Sequence, residues 1–187
     1  MFNHAVTEEV HPMRALVVFE SMFGNTKEIA DAVGAGIGTC MPVDVVEVGT
    51  APACDAGVAF LVVGGPTHAF GLSWPSTRAD AATKAGGPVV SSGTGLREWF
   101  DTLDLPALRL PAATFATRIR KPRVPGSAAQ GAARRLRRLG CHLVVPPLSF
   151  WVEDVMGPLS GGELERARRW GEELAILAVP QPGQAVG

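Results

Sequence analysis

Cysteine is scarce in this chain: Cys40, Cys54 and Cys141 are the three present, and none belongs to a Cys-x-x-Cys pair. That excludes a disulfide framework, a zinc ribbon and a cysteine-held iron–sulfur cluster, and leaves buried or incidental thiols in a reducing compartment. No run of 18 or more apolar residues occurs, so no segment reads as a membrane-spanning helix. The first dozen residues carry Glu8, Glu9 and two histidines, where a secretory leader has a basic stretch followed by an apolar one. An excess of either charge is also missing: 17 Lys and Arg against 18 Asp and Glu give a net charge of −1. The expectation is a cytoplasmic protein with no membrane and no nucleic-acid partner.

What is present suffices for one domain. A hydrophobic fraction of 47% over 187 residues excludes a disordered chain and supplies one sizeable core. Arg14 to Phe19 is a short β-branched and apolar run, the pattern of a strand buried on both faces. Apolar positions at 29, 30, 33 and 37 then recur at helical spacing. Pro42 to Val48 and Val58 to Val63 read as the second and third strands, the third ending at Gly64-Gly65-Pro66. Thr67 to Gly95 is polar and reads as a loop with a poor helix. Leu96 to Leu103 is a short amphipathic helix. Leu110 to Ala116 is the fourth strand, with Pro111 at its entry. Ser127 to Leu139 is helical and stops at Gly140. A fifth strand starts at Cys141 and is broken at Pro146-Pro147 before Leu148 to Val152. Ser160 and Glu163 form a capping-box pattern for a last helix ending near Leu177.

Alternating strands and helices predict an α/β protein, a three-layer doubly wound sheet of five parallel strands with helices on both faces. The domain is expected over residues 14–178, flanked by a flexible arm at 1–13 and a disordered Pro/Gly-rich tail at 179–187.

Ligands of such sheets bind beyond the carboxyl ends of the strands. The segment after the first strand, Ser21-Met22-Phe23-Gly24-Asn25-Thr26, places two hydroxyls, an Asn and a Gly immediately before a helix N-terminus. Helix starts leave N–H groups unpaired and carry a positive dipole end, which suits one phosphate held by neutral donors. The Walker spacing Gly-x4-Gly-Lys-Ser/Thr is absent, and Gly34-Ala-Gly36-Ile-Gly38 imitates a dinucleotide motif only at the wrong end of its helix. A helix cap at Asn25 or Thr26 would explain the same residues without any ligand. No metal cluster and no Ser-His-Asp arrangement is visible.

Ser21 to Thr26 after a buried first strand resembles the phosphate loop of flavodoxins and flavodoxin-like proteins. Val62-Val-Gly-Gly-Pro-Thr-His-Ala-Phe-Gly71 is similar to the second flavin loop of that family, and Gly157 to Ala167 more weakly to the endings of some of its members. The resemblance covers Arg14 to about Leu177. It implies strand order 2-1-3-4-5, non-covalent FMN binding and electron transfer. Ser21, Gly24, Asn25 and Thr26 would hold the phosphate, Met22 and Phe23 adding backbone N–H groups. Pro66, Thr67, His68, Ala69, Phe70 and Gly71 would line the ring, and Thr117 and Arg118 after the fourth strand complete the set. His68 is expected to hydrogen-bond the flavin or its loop, with no acid–base role; Phe70 could equally be a core aromatic.

The chain departs from the family pattern in two ways. Many flavodoxins cover the outer ring face with a tyrosine, and this chain has no tyrosine. Trp74 or Trp151 could serve only if its loop folds over, and Trp74 to Gly95 is either a lid or a disordered insertion. The second departure is charge: eight Lys and Arg and no acid lie between Arg118 and Arg138. Arg118 and Arg120 are expected to raise the flavin potential. Arg134, Arg135, Arg137 and Arg138 read as a solvated helix face; docking an acidic redox partner or the 2′-phosphate of NADPH are the other uses of the patch.

The leading expectation is an FMN-binding electron carrier served by a redox protein partner or an NAD(P)H-dependent reductase, as a monomer or homodimer. The alternatives are an NAD(P)H-dependent FMN or quinone reductase of the same fold, and a flavin-free interaction module. A phosphoacceptor receiver is excluded, because the third strand ends in Gly64-Gly65-Pro66 where an Asp is needed.

Overall fold

The computed structural model describes residues 13–105, 109–121 and 125–178. The expected arm, apart from Met13, and the expected tail lie outside the described residues, as does the centre of the basic segment at 122–124. The elements run β1 (Arg14–Phe19), α1 (Asn25–Ile37), β2 (Val43–Glu47), a 3-10 turn (Val48–Thr50), β3 (Val58–Pro66), α2 (Pro75–Ala85), α3 (Leu96–Thr102), β4 (Pro111–Ile119), α4 (Ala128–Arg138), β5 (His142–Leu143), β6 (Leu148–Val152) and α5 (Glu163–Ala178).

All strand pairs are parallel, in the order β2-β1-β3-β4-β5, with β6 also on β4. β5 and β6 occupy one position in the sheet. Ala112 faces Leu143 and Phe115 faces Leu148, so three steps along β4 are matched by five along its neighbour, and two residues are looped out. Pro146 and Pro147 lie in that gap. Neither can donate to a ladder, which is why the strand breaks there.

The unbroken apolar runs of β1 and β3 follow from burial on both faces. Leu16, Val18, Leu61 and Val63 pack with Trp99, Phe100, Ala129 and Leu136 of α3 and α4, while Val17, Phe19, Phe60 and Val62 pack with Ile29, Val33, Trp170 and Leu174 of α1 and α5. Each large apolar side chain removed from water contributes roughly 1.5–3 kcal/mol, so these two clusters dominate the stability of the sheet. The glycines that imitate a dinucleotide motif have a packing role. A Cβ on Gly36 would lie 2.1 Å from the carbonyl oxygen of Arg168 and 2.9 Å from the Cα of Gly171, so α1 and α5 meet backbone to backbone.

Two expected caps differ. α1 starts after Gly24, at φ 95°, with no side-chain cap bond, so neither Asn25 nor Thr26 is the cap. At α5 the Glu163 carboxylate accepts from the N–H of Trp151 at 2.8 Å and pairs with Arg166 at 2.5 Å, so it is engaged with β6 and its own helix and not with Ser160. Ser127 does cap α4, accepting from Gln130 N–H at 3.2 Å.

Candidate functional site

The carboxyl ends of β1, β3, β4 and β6 open into one cleft of about 370 Å³. Its floor begins at Ser21, whose side chain is wholly buried. The Ser21 hydroxyl accepts from the backbone N–H of Gly24 at 3.2 Å and of Lys27 at 3.3 Å, curling the loop back on itself. Gly24 makes that curl possible, because its left-handed backbone strains any residue carrying a Cβ. Glu28 N–H already reaches Gly24 O at 3.0 Å, so the N–H groups of Asn25 and Thr26 are the first-turn donors without an acceptor inside the helix. The buried Thr26 hydroxyl lies 2.7 Å from that of Thr117 at the end of β4. Asn25 Nδ2 donates to Met156 O at 3.1 Å, tying the loop to the segment after β6.

The second wall is the turn after β3. His68 and Gly71 exchange two backbone hydrogen bonds, 3.0 and 2.9 Å, across Ala69 and Phe70. Both intervening residues have positive φ, 40° and 71°, the backbone of a two-residue type I′ hairpin that normally takes Asn-Gly. Each such residue costs of order 1–3 kcal/mol, and strain of this kind gathers at ligand clamps. Here it lifts Phe70, 55% exposed, to the mouth of the cleft.

No protein-family model matches this chain, and no curated protein resembles it in sequence. Solved structures do resemble it. A flavodoxin from the domain Archaea superposes with a TM-score of 0.60 at 20% identity, covering 89% of this chain and 99% of its own. Oxidised flavodoxin 1 from Bacillus cereus gives 0.60 at 17% identity, covering 87% and 97%. A WrbA-like flavodoxin from Agrobacterium tumefaciens gives 0.54 at 20%, covering 89% and 97%. The chain has a flavodoxin-like fold.

Within that flavodoxin-like fold, Ser21, Met22, Phe23, Asn25, Thr26, Pro66, Thr67, His68, Ala69, Phe70, Thr117 and Arg118 all line the one cleft. Gly24 and Gly71 shape its loops without lining it. Trp74 is also outside the lining, stacked under the Arg97 guanidinium 3.6 Å from its ring centroid. Trp151 likewise lies outside, with Arg118 and Arg120 at 6.0 and 5.6 Å from its ring. Arg118 does reach the cleft, its Nη1 donating to Gly126 O at 2.7 Å. Among the remaining basic residues, Arg134, Arg137 and Arg138 are exposed on α4 and Arg135 pairs with Asp101, so this helix presents the solvated face expected.

Sequence reading missed the third wall. The polar stretch read as a loop with a poor helix does hold a helix, α2 (Pro75–Ala85), and is not a disordered insertion; what went unread is that Thr77, Asp80, Ala81 and Lys84 of this helix line the cleft. Ile119, Val152 and Val155 form an apolar strip of the lining, beyond the expected Thr117 and Arg118.

A buried polar cluster anchors α2 beneath the loop. Glu20 Oε2 accepts from Leu96 N–H at 2.8 Å, Arg78 donates to Ser73 Oγ at 3.0 Å, and Arg78 Nη2 meets Glu98 Oε2 at 3.0 Å. Burial pushes the Glu20 carboxyl above its ordinary range, against the opposing pull of Ser73, the Leu96 N–H and Arg78. His68 is held below the usual imidazole value, first by burial and then by the charges of Arg78 and Lys84. It is a neutral hydrogen-bonding group at neutral pH.

The cleft therefore joins buried neutral donors and a helix start at one end to apolar walls at Pro66, Phe70, Ile119, Val152 and Val155. That donor set suits a phosphate monoester on a flat, largely apolar ring system.

Proposed function

We propose that this cleft binds FMN non-covalently and that the protein is an electron carrier. The observation that carries the reading is the convergence of the Ser21–Thr26 turn, with its buried hydroxyls and first-turn N–H groups, on the same cleft as Pro66–Phe70 and Thr117–Arg118. Ser21, Asn25 and Thr26 hold the phosphate, Met22 and Phe23 contribute backbone donors, and the 66–70 turn meets the ring. When bound, the flavin supplies reversible acceptance of one or two electrons. The chain's part is to orient the ring, keep water from the buried side and offer neutral His68 as a hydrogen-bonding partner. The similarity of the fold to flavodoxins supports this cofactor and this role, and a redox protein in the cytoplasm is the partner that such a carrier serves.

Calorimetry with FMN and with riboflavin tests the reading. Wild-type protein takes up FMN more tightly than riboflavin, and replacing both Ser21 and Thr26 by Ala abolishes that preference. Absence of heat with FMN overturns the assignment.

The position of the two tryptophans favours a second reading, an NAD(P)H-dependent flavin or quinone reductase. With Trp74 under Arg97 and Trp151 under Arg118 and Arg120, neither indole covers the cleft, and the outer face of a bound ring stays accessible to a reductant. Rapid bleaching of the flavin-loaded protein by NADPH or NADH alone would favour the enzyme over the carrier.

A further inference from the structure

Helix α2 borders the cleft with a largely polar edge. Thr77, Asp80, Ala81 and Lys84 line the cleft at the spacing i, i+3, i+4, i+7, a single helical stripe about 10 Å long. Of these four, Ala81 is buried and Thr77 half-buried, whereas Asp80 and Lys84 are exposed, so the two charged side chains stand at the open edge of the cleft and are not packed against protein. The stripe faces the same space as the Ser21–Thr26 turn.

The chain leaving α2 is fastened to that turn. Val90 N–H donates to Met22 O at 3.1 Å, Ser91 N–H to Ser21 O at 2.8 Å, and Ser21 N–H to Ser91 Oγ at 2.9 Å. The carboxyl end of α2, which carries Lys84, is thus six residues from a hydrogen bond to the loop itself. At the other end, Arg78 is clamped by Ser73 and Glu98, so the helix is fixed against the body on both sides.

Charge singles out Lys84. A phosphate monoester carries between one and two negative charges at neutral pH, and the turn meets it with neutral donors. Lys27, in the first turn of α1, is paired with Asp31 at 2.7 Å. Arg118 is engaged with Gly126 O. Lys84 is exposed, and among the described residues it makes no ion pair, not even with Asp80 one turn away. It is the cleft-lining cation whose ammonium is available to a ligand.

We infer that Lys84 is a specificity residue of the cleft: its ammonium closes over the phosphate held by the Ser21–Thr26 turn, while Thr77 and Asp80 on the same stripe meet the hydroxylated chain between phosphate and ring. This rests on the FMN reading and adds a wall to it. The inserted helix converts a neutral phosphate site into a charge-paired one, so the cleft discriminates phosphorylated from unphosphorylated flavin by charge as well as by hydrogen bonds. Asp80 works against an anion, which limits the stripe to a ligand whose phosphate lies at the Lys84 end and whose hydroxyls lie at the Asp80 end.

The test is a matrix of dissociation constants, with FMN and riboflavin as ligands, for wild type, Lys84→Gln and Lys84→Arg, each at low and high salt. The expected result is about fivefold weaker FMN binding by Lys84→Gln, with riboflavin unchanged, a shallower salt dependence, and recovery in Lys84→Arg. Equal weakening of both ligands, or FMN binding unaffected by Lys84→Gln, overturns the inference while leaving the FMN reading standing. Failure of wild-type protein to bind FMN overturns both. Because Lys84 is exposed and pairs with no other described residue, these variants keep the fold.

Discussion

The hydroxyls of Thr26 and Thr117, 91 residues apart in the chain, share a buried hydrogen bond of 2.7 Å. It joins the first turn of α1 to the end of β4 at the floor of the cleft, and so sets the distance between the proposed phosphate turn and the opposite wall. Replacing Thr117 by Val keeps the shape and removes one partner. Denaturant unfolding of the apo-protein should show a loss of about 1 kcal/mol, the usual worth of one net hydrogen bond. FMN affinity should fall several-fold as the Thr26 hydroxyl loses its fixed orientation, which calorimetry would report.

Much of this cleft was legible in the sequence because its first two loops are short and their residue types are constrained. Gly24 sits where only a residue without Cβ is unstrained, and Ser21 and Thr26 bracket it on the head of a helix. The sheet was readable because β1 and β3 are buried on both faces and therefore apolar at every step. Even the interruption of the fifth strand was marked by Pro146-Pro147. Helix α2 was not legible as a wall, because its cleft-lining residues Thr77, Asp80, Ala81 and Lys84 carry no apolar period. Its polar side faces the cleft, which hydrophobic periodicity cannot register. The capping-box pattern at Ser160 misled for the opposite reason: Glu163 has the right spacing but is claimed by Trp151 and Arg166.

Phe70 holds a left-handed backbone that favours glycine, φ 71°, while its ring is half exposed and buries little. The strain is thus not repaid by packing in the apo-protein. Phe70→Gly should raise the stability of the apo-protein by about 1 kcal/mol, and should weaken flavin binding by removing the aromatic at the mouth. A rise in the thermal midpoint together with a higher dissociation constant is the expected signature. A loss of stability would show that the ring is supported by the fold itself.

The three thiols should divide cleanly by burial. Cys54 and Cys141 are buried, and desolvation pushes both up to about 11, with Asp55 adding to Cys54 and Cys54 adding to Cys141. At pH 8 roughly one in a thousand of either is thiolate, the reactive form. Cys40 is exposed on the turn after α1. A thiol-specific chromogenic disulfide should titrate one cysteine rapidly in the native protein and the other two only after unfolding.

Arg118 places a positive charge in the lining of the cleft. A unit charge at about 7 Å in an effective dielectric near 20 is worth ~2 kcal/mol, which corresponds to roughly 90 mV for one electron. Arg118→Gln should therefore lower the reduction potential of bound flavin by several tens of millivolts, with Arg118→Lys close to wild type. Arg120, which sits over Trp151 outside the lining, should have a smaller effect in the same spectroelectrochemical titration.

Glu20 and Glu98 flank Arg78 and are shifted in opposite directions, which gives the cluster beneath the phosphate turn a defined response to pH. Burial raises Glu20 despite its hydrogen bonds. Burial would also raise Glu98, but hydrogen bonds from Arg78 and backbone N–H groups, with the Arg78 charge, outweigh it and bring the carboxyl below its ordinary value. The folded protein holds the Glu20 proton more tightly than the unfolded chain does. Stability from this group is present below the unfolded value of 4.5 and is lost as pH rises through the folded one. For Glu98 the sign reverses: its contribution is present above 4.5 and is lost as pH falls through the lowered value. Glu20→Gln, which keeps an acceptor for Leu96 N–H, should thus gain stability relative to wild type as pH rises from about 4.5 toward neutrality. Glu98→Gln should be less stable than wild type by a constant amount above about pH 4.5 and should approach it as pH falls below that value. Urea unfolding of the three proteins from acid to neutral pH measures both slopes, Glu98 below 4.5 and Glu20 above it, and parallel curves for wild type and Glu20→Gln would show that Glu20 titrates as an ordinary carboxyl.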